Sequence, residues 1–423
     1  VRYSPGMSTR GRTPGQPGLL RVLNDRAALE LLLDDGPLTR NEIAGRTGLS
    51  KPTAAEIIRR LESADLIRAA GTEAQAGRRG PSAAVYEAIT DRDLAVAVDV
   101  QLVDVRSTVV DALGRAYPVA THTMSPDEVR GPGTDIVAAA ITRAATAAGT
   151  DPDLVTAVAV GVQASVDHTT DTLIFTDGLP GWPRERVAAT LSAELGVRVV
   201  VENDANLAAI AERNIGAGRT VGSFALFWMA EGLGMALDLD GRLHTGASGA
   251  AGEIGYLGVP ADARAIDPTA TIIADLISES AIAALAAEHG ITAPDGSAAD
   301  WREVLPQLPG LPEQHPFTTA LGERIGHNVL PALAVADPET VVLHGPTGIA
   351  GGPALAAAVT AWLRTRTRWS TAVVAPGVPD TPVLHGARHV LIDVVRAALA
   401  DRVDRINEDA PEPASAPDPH LRT

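Results

Sequence analysis

Two short stretches of this chain place carboxylates and amides where they could hold a small polyhydroxy ligand. The first is Val201-Glu202-Asn203-Asp204-Ala205-Asn206, between an apolar run at 197–201 and a helical pattern at 207–213. Such a strand-to-helix turn sets carboxylate and amide groups beside the free N–H groups of a helix start, so several hydroxyls of one ligand can be bonded at once. Plain helix capping by Asn203 or Asp204 is the competing reading. The second stretch runs from Asp240-Gly241, a hairpin-turn pair, through a glycine-rich run to Glu253-Ile254-Gly255-Tyr256. Glycines around Glu253 admit a close-lying ligand, and its carboxylate can accept from two hydroxyls. A glycine-rich connector carrying a surface glutamate is the alternative.

A different chemistry occupies residues 38–81. Glu42, Ile43 and Ala44 begin one helix, Gly48 marks a turn, and Ile57, Ile58 and Leu61 stripe a second helix, which together give the layout of a winged helix-turn-helix. Ser50 suits the N-cap of the second helix and Pro52 its first turn. The entry Ser50-Lys51-Pro52-Thr53 is the end that such helices push into a major groove, and Lys51 is the only lysine of the chain. A strand after Leu66-Ile67, the tip Gly77-Arg78-Arg79-Gly80-Pro81 and a return at 84–87 read as a two-stranded wing. Arg78 and Arg79 at its apex are placed for a minor groove, a merely solubilising loop being the alternative. Arg40, Arg46, Arg59 and Arg60 are expected on the phosphate backbone.

A net charge of −17 argues against nucleic acid until it is divided along the chain. Residues 1–82 hold 13 Lys+Arg against 9 Asp+Glu, a net of +4, and the remainder holds 22 against 43, a net of −21. One cationic end on an acidic bulk is the pattern of a chain with a single nucleic-acid-binding domain. Hydrophobic content of 45% supports packed cores, built from Ala, Val, Leu and Ile because aromatics are only 3%. The lack of cysteine excludes disulfides, thiolate zinc sites and cysteine nucleophiles. No apolar run reaches membrane-span length and no signal-peptide core is present, so a cytoplasmic location and no membrane partner are expected. Val1 reads as a non-ATG start, with Met7 as the other candidate.

Five regions are expected: a disordered N-terminus at 1–18, a winged helix-turn-helix at 19–90 opened by a helix at 19–34, a first α/β lobe at 91–215, a second lobe at 216–408 whose last helix returns toward the first, and a disordered tail at 409–423. In the first lobe, β-branched runs at 94–100, 105–112 and 116–122 precede a helix at 135–148 and a strand at 155–162. The second has strands at 224–229 and 235–239, helices at 271–289 and 317–335, a strand at 340–344, a helix from Pro353 and a last helix at 385–406. Three strands, a helix and another strand is the order of a ribonuclease-H-like half. The fold class is therefore α/β, an N-terminal winged helix-turn-helix plus an actin/hexokinase-like two-lobed body.

With these segments in this order, the chain resembles the ROK family (repressors, open reading frames and sugar kinases), in its regulator branch. The resemblance spans roughly residues 19–400. It rests on Leu49-Ser50-Lys51-Pro52-Thr53, the Gly-Arg wing, Gly178-Leu-Pro-Gly-Trp182, Glu202-Asn-Asp-Ala-Asn206 and Gly246-Ala-Ser-Gly-Ala-Ala-Gly-Glu-Ile-Gly255. It implies that Asn203, Asp204 and Glu253 bind a sugar, with Asp204 in the place of the kinases' general base.

The departures from the family are equally informative. Family kinases carry an Asp-x-Gly-Gly-Thr loop after the first strand, and this chain has Asp99-Val100-Gln101-Leu102-Val103-Asp104, without the glycines whose backbone cradles a polyphosphate. A Gly-Thr-Gly-x-Gly segment reads Ala230-Glu231-Gly232-Leu233-Gly234, with a carboxylate in the phosphate's place. Tyr256 replaces the histidine of the family's zinc site, whose cysteines are also missing, and its hydroxyl becomes a candidate effector contact. Gln163-Ala164-Ser165 replaces a Pro-Gly-Pro-like turn, and Gly178 an asparagine. His385 and His389 read as a packed or solvated helical face rather than a metal grip, and Arg364, Arg366 and Arg368 as a solvated face. His122, His168 and His244 show no partner in sequence.

The expectation is a homodimeric or tetrameric transcriptional regulator, a repressor of carbohydrate-related genes, that binds a double-stranded DNA operator and senses a sugar or sugar derivative. It needs no cofactor or metal and performs no catalysis. Two alternatives stay open: a sugar kinase with an added DNA-binding domain, and a regulator whose effector pocket has decayed or been re-purposed.

Overall fold

The computed structural model describes residues 17–73, 83–176, 179–230, 232–312 and 314–408. Residues 1–16 and 409–423, the wing tip with Arg78 and Arg79, and also Gly178 and Glu231 lie outside the described residues, while residues 17 and 18, expected to be disordered, open the first helix. Helix α1 (Pro17–Asp35) leads through the short strand β1 (Leu38–Thr39) to α2 (Arg40–Thr47), α3 (Lys51–Ser63), β2 (Ile67–Glu73) and β3 (Ala83–Ala88). Ser50 caps α3 as its type demands, accepting from Thr53 N at 3.3 Å, and Thr39 forms a reciprocal capping box with Glu42. The wing is a three-stranded antiparallel sheet in the order β1-β3-β2, because Leu38 pairs with Tyr86 on the free side of β3. Ile43, Ile57, Leu61 and Leu66 are fully buried at its centre, each such burial contributing about 1.5–3 kcal/mol.

The first lobe contains β4 (Leu94–Val100), β5 (Asp104–Val110), β6 (Ala120–Thr123), α4 (Pro126–Arg130), α5 (Gly133–Ala148), β7 (Val155–Val162), the hairpin β8 (Ser165–Asp167) and β9 (Thr172–Ile174), α6 (Val187–Leu195), β10 (Arg198–Asn203) and α7 (Asp204–Ile215). The second contains β11 (Phe224–Met229), β12 (Leu233–Leu239), β13 (Arg242–His244), α8 (Glu279–Glu288), α9 (Trp301–Val304), α10 (Pro316–Ala336), β14 (Thr340–His344), α11 (Gly345–Arg366) and β15 (Ala372–Val374), and α12 (Pro382–Glu408) closes the described chain. The two main sheets share one topology, β6-β5-β4-β7-β10 and β13-β12-β11-β14-β15. In each, three strands meander antiparallel and two more add in parallel beside the first. That repetition is the ribonuclease-H-like pair expected from the strand order.

Three elements differ from expectation. The third strand forms only over Ala120–Thr123, since Pro118 has no N–H to give a ladder. The helix expected at 271–289 is a 3-10 turn at Ile273–Ile277 followed by α8, whose N-cap Ser278 accepts from Ala281 N at 3.3 Å. The helix expected from Pro353 already begins at Gly345 and breaks at Gly352-Pro353, where Gly352 has φ 52° and ψ −147°.

Helix α12 joins the parts. Leu384, Ala387, Leu391, Val395, Leu399 and Val403 form a buried stripe at three- and four-residue spacing. It packs on α7, on β4 and β7, and on α1. At Gly386 a Cβ would meet Leu207 O at 1.9 Å, so α12 and α7 touch backbone to backbone. Ion pairs fasten its other face to the winged helix: Arg26 Nη2 to Asp404 Oδ2 at 2.5 Å and Arg396 Nη1 to Asp34 Oδ1 at 2.6 Å. Beneath them the fully buried Asp25 accepts from Arg60 Nε at 2.9 Å and from Asn407 Nδ2 at 3.1 Å. Among the described residues no helix is long and apolar enough to cross a membrane.

Candidate effector cavity and DNA-reading face

A cavity of about 270 Å³ is lined by residues of both lobes, and it gathers all four expected effector residues. Asn203 ends β10 and caps α7; its Oδ1 accepts from Asn206 N at 3.1 Å and its Nδ2 donates to Ala164 O at 3.1 Å. The capping alternative therefore holds for Asn203, which keeps one Nδ2 proton for a ligand. Asp204 is buried in the first turn of α7, with Oδ1 accepting from Ala205 N at 2.8 Å. Glu253 is set by Gly252, which holds φ 97° and lies so close to β12 that a Cβ would meet Met235 O at 1.9 Å. The Glu253 carboxylate accepts a short hydrogen bond from Ser165 Oγ on β8. Tyr256 stands at the rim, its ring centroid 5.0 Å from that of Phe175.

Glu202, the first residue of the same block, lines a different cavity. Its Oε1 accepts from Asn203 N and Asn206 Nδ2, both at 2.9 Å, and its Oε2 faces His168 Nε2 at 2.9 Å. That bond raises the His168 pKa against the opposing effect of burial. Glu202 shapes the turn and does not line the cavity that holds Asn203 and Asp204.

Where a kinase of this family would carry its glycine loop, side chains form a ladder. Gln101 Nε2 donates to Asp99 Oδ1 at 2.5 Å, and Gln163 Nε2 donates to Gln101 Oε1 at 3.1 Å. The backbone N–H of Gln101 closes the β4–β5 turn on Asp104 O at 2.8 Å, so it is not directed at a phosphate. Burial pushes the Asp99 carboxyl up to about 6, with Gln101 and Arg106 acting against it. Behind the cavity, Trp228 stacks on His344, whose Nε2 lies 3.2 Å from Glu212 Oε1. Burial alone would raise the Glu212 pKa, but His344 and the amides of Ala217 and Val378 outweigh it and hold the group below its ordinary value.

On the winged helix, Ser50, Lys51 and Pro52 are exposed at the start of α3, Thr53 is half-buried beside them, and Arg40 is exposed at the start of α2. Arg59 is exposed and lies 3.7 Å from Glu56 on its own helix, a pairing too weak to withhold it from a phosphate. Two expected phosphate contacts are otherwise engaged. Arg60 turns inward to Asp25, and Arg46 pairs with Asp35 at 2.6 Å. His385 and His389 are half-buried on α12, where burial lowers both pKa values, and no cluster fit for a metal occurs among the described residues.

Sequence reasoning missed Phe175, Trp228 and His344 as parts of this region. Nothing in their local spacing marks them, since strand pairing and hairpin folding bring them in. In sequence Ser165 stands out only as a departure from the family's turn, and its bond to Glu253 spans 88 positions.

A sequence model of the ROK family matches residues 96–393, and one of winged helix-turn-helix DNA-binding domains matches residues 23–68. The xylose repressor of Bacillus spizizenii is 22% identical over 243 residues, 56% of this chain and 61% of that protein, so the chain spans under two thirds of that relative's length. Among solved structures, a ROK family transcriptional regulator described as a homolog of the E. coli MLC protein aligns with a TM-score of 0.63 at 17% identity, covering 92% of this chain and 98% of that one. A ROK family glucokinase from Streptomyces griseus, in complex with glucose and AMPPNP, aligns with a TM-score of 0.57 at 22% identity over 70% of this chain and 98% of that one. These likenesses show a shared fold. With its family segment covering most of the length behind a winged helix-turn-helix, the chain belongs to the ROK family.

Proposed function

We propose that the chain is a DNA-binding repressor of carbohydrate-related genes, whose two-lobed body senses an uncharged sugar-like effector and performs no phosphoryl transfer. One observation carries this: α12 packs on α7, which bears Asp204 in its first turn, and on α1 of the winged helix, while the reading end of α3 stays open. Asn203, Asp204, Glu253 and Tyr256 hold the effector. Ser50, Lys51, Pro52, Thr53, Arg40 and Arg59 meet DNA, together with Arg78 and Arg79 of the tip. A ligand that favours one lobe closure shifts α7 and α12 and so the winged helix, and in a homodimer this changes the spacing of the two readers. The working units are 19–90, 91–215 and 216–408, acting in the cytoplasm.

The test is to select an operator from random duplexes with the full chain, then titrate sugars against that complex in gel shifts. Ligand-dependent release that disappears in Asp204→Ala supports the reading. Failure to select any duplex sinks it. The kinase alternative predicts ATP turnover with hexoses in a coupled assay, and the Asp99–Gln101–Gln163 ladder speaks for none.

A further inference from the structure

Aromatic side chains concentrate at the cavity between the two lobes. The chain has only four Phe, five Trp and four Tyr, yet Phe175, Trp228 and Tyr256 all line this cavity. Phe175 and Tyr256 are 43% and 54% exposed at the rim, with 32° between their ring planes. Phe175 also holds φ 55°, a left-handed backbone that a bulky side chain rarely adopts and that persists where its surroundings impose it, often at ligand sites. It directly follows β9, and β8 of the same hairpin supplies Ser165 to Glu253, so one hairpin fixes both the rim and the carboxylate. Deeper in the wall stands Trp228, which is buried.

Charge narrows the ligand further. Among the described residues lining the cavity there is no Lys, Arg or His, whereas Asp204 and Glu253 are both carboxylates. A phosphorylated sugar would bring its dianion to two like charges with no cation in between.

We propose that the effector is an uncharged glycoside rather than a free monosaccharide or a sugar phosphate. Its sugar ring is bonded by Asn203, Asp204 and Glu253, and a second ring packs on the outer face of the Phe175–Tyr256 pair. The shared chemistry is a flat apolar ring face, presented either by a second pyranose or by an aryl group. The inference rests on the sugar-sensing reading above and deepens it.

Calorimetry with the full chain tests it. The probes are methyl glycosides of glucose, galactose, mannose, xylose and N-acetylglucosamine, the p-nitrophenyl glycosides of the same sugars in both anomers, cellobiose, maltose, lactose and xylobiose, and the hexose 6-phosphates. At least one two-ring ligand is expected to bind tenfold or more tightly than its methyl glycoside. Tyr256→Ala and Phe175→Gly are each expected to bring that ratio below about twofold, and Phe175→Gly, which relieves the backbone, is expected not to lower the melting temperature. Preference for a p-nitrophenyl glycoside or for a disaccharide identifies the source of the second ring. Equal binding of one- and two-ring ligands, tighter binding of a 6-phosphate, or a two-ring advantage that survives both substitutions overturns the proposal and leaves sugar sensing intact. Binding of no carbohydrate overturns both.

Discussion

Trp228 and His344 lie side by side on neighbouring parallel strands with their rings stacked, centroids 5.4 Å apart and planes 23° from parallel. The indole lines the effector cavity, and the imidazole faces Glu212 on α7 at 3.2 Å. Glu212 in turn accepts from Ala217 N at 2.6 Å, Gly377 N at 3.2 Å and Val378 N at 2.9 Å, the last two in the segment that leads into α12. A cavity wall is thus joined to the helix that seats the winged helix.

Removing the centre of that junction should be costly. Glu212→Ala strands three amides and a fully buried imidazole, so a loss of about 3–5 kcal/mol is expected in urea denaturation. Glu212→Gln, which keeps acceptors for part of the set, should lose less.

Asp99 makes stability depend on pH in the direction opposite to a salt-bridged carboxylate. Its folded pKa of about 6 exceeds the unfolded value, so the folded state binds more protons between the two, and stability falls as pH rises through that window. Asp99→Asn removes the penalty and can still accept from Gln101. The variant is expected to gain roughly 3 kcal/mol at pH 8 and about half of that at pH 5. Urea titrations at both pH values check it, and an equal gain at both would contradict the assignment.

Asp25 and Arg60 form the polar centre of the reader's seat. Asp25→Ala leaves the guanidinium facing a vacated buried site, and about 3 kcal/mol should be lost on thermal or chemical unfolding. Replacing both partners with leucine should restore much of that, because an apolar pair needs no compensation.

On the open face, Lys51→Ala and Arg59→Ala should weaken operator binding, and each lost phosphate contact should shallow the log K against log salt slope by about 0.9. If Lys51 meets a base edge instead, its variant relaxes sequence preference and leaves the slope unchanged. Gel-shift titrations across salt, with cognate and mutated operators, separate these outcomes.

Local chemistry was the legible part of this chain. Ser50 and Pro52 announce a helix start within three positions, and Asn203 sits where a strand pattern turns to a helical one, so both were readable without any distant residue. Arg60 reads as a phosphate contact because sequence displays its charge but not Asp25, 35 positions earlier, waiting behind it. The third strand of the first lobe reads longer in sequence than it is, because its β-branched residues outweigh a single proline. The aromatic rim and the His344–Glu212 contact depend wholly on tertiary folding, and no local period encodes them.

The winged helix is made before the helix that seats it. Helix α12 begins only at Pro382, whereas the reader's last strand ends at Ala88, so during synthesis the reader can fold on its own core while still lacking any mechanical tie to the sensor. In the proposed mechanism, obedience to the effector is therefore acquired only once α12 has been made, and a chain released before that helix would carry an ungoverned reader.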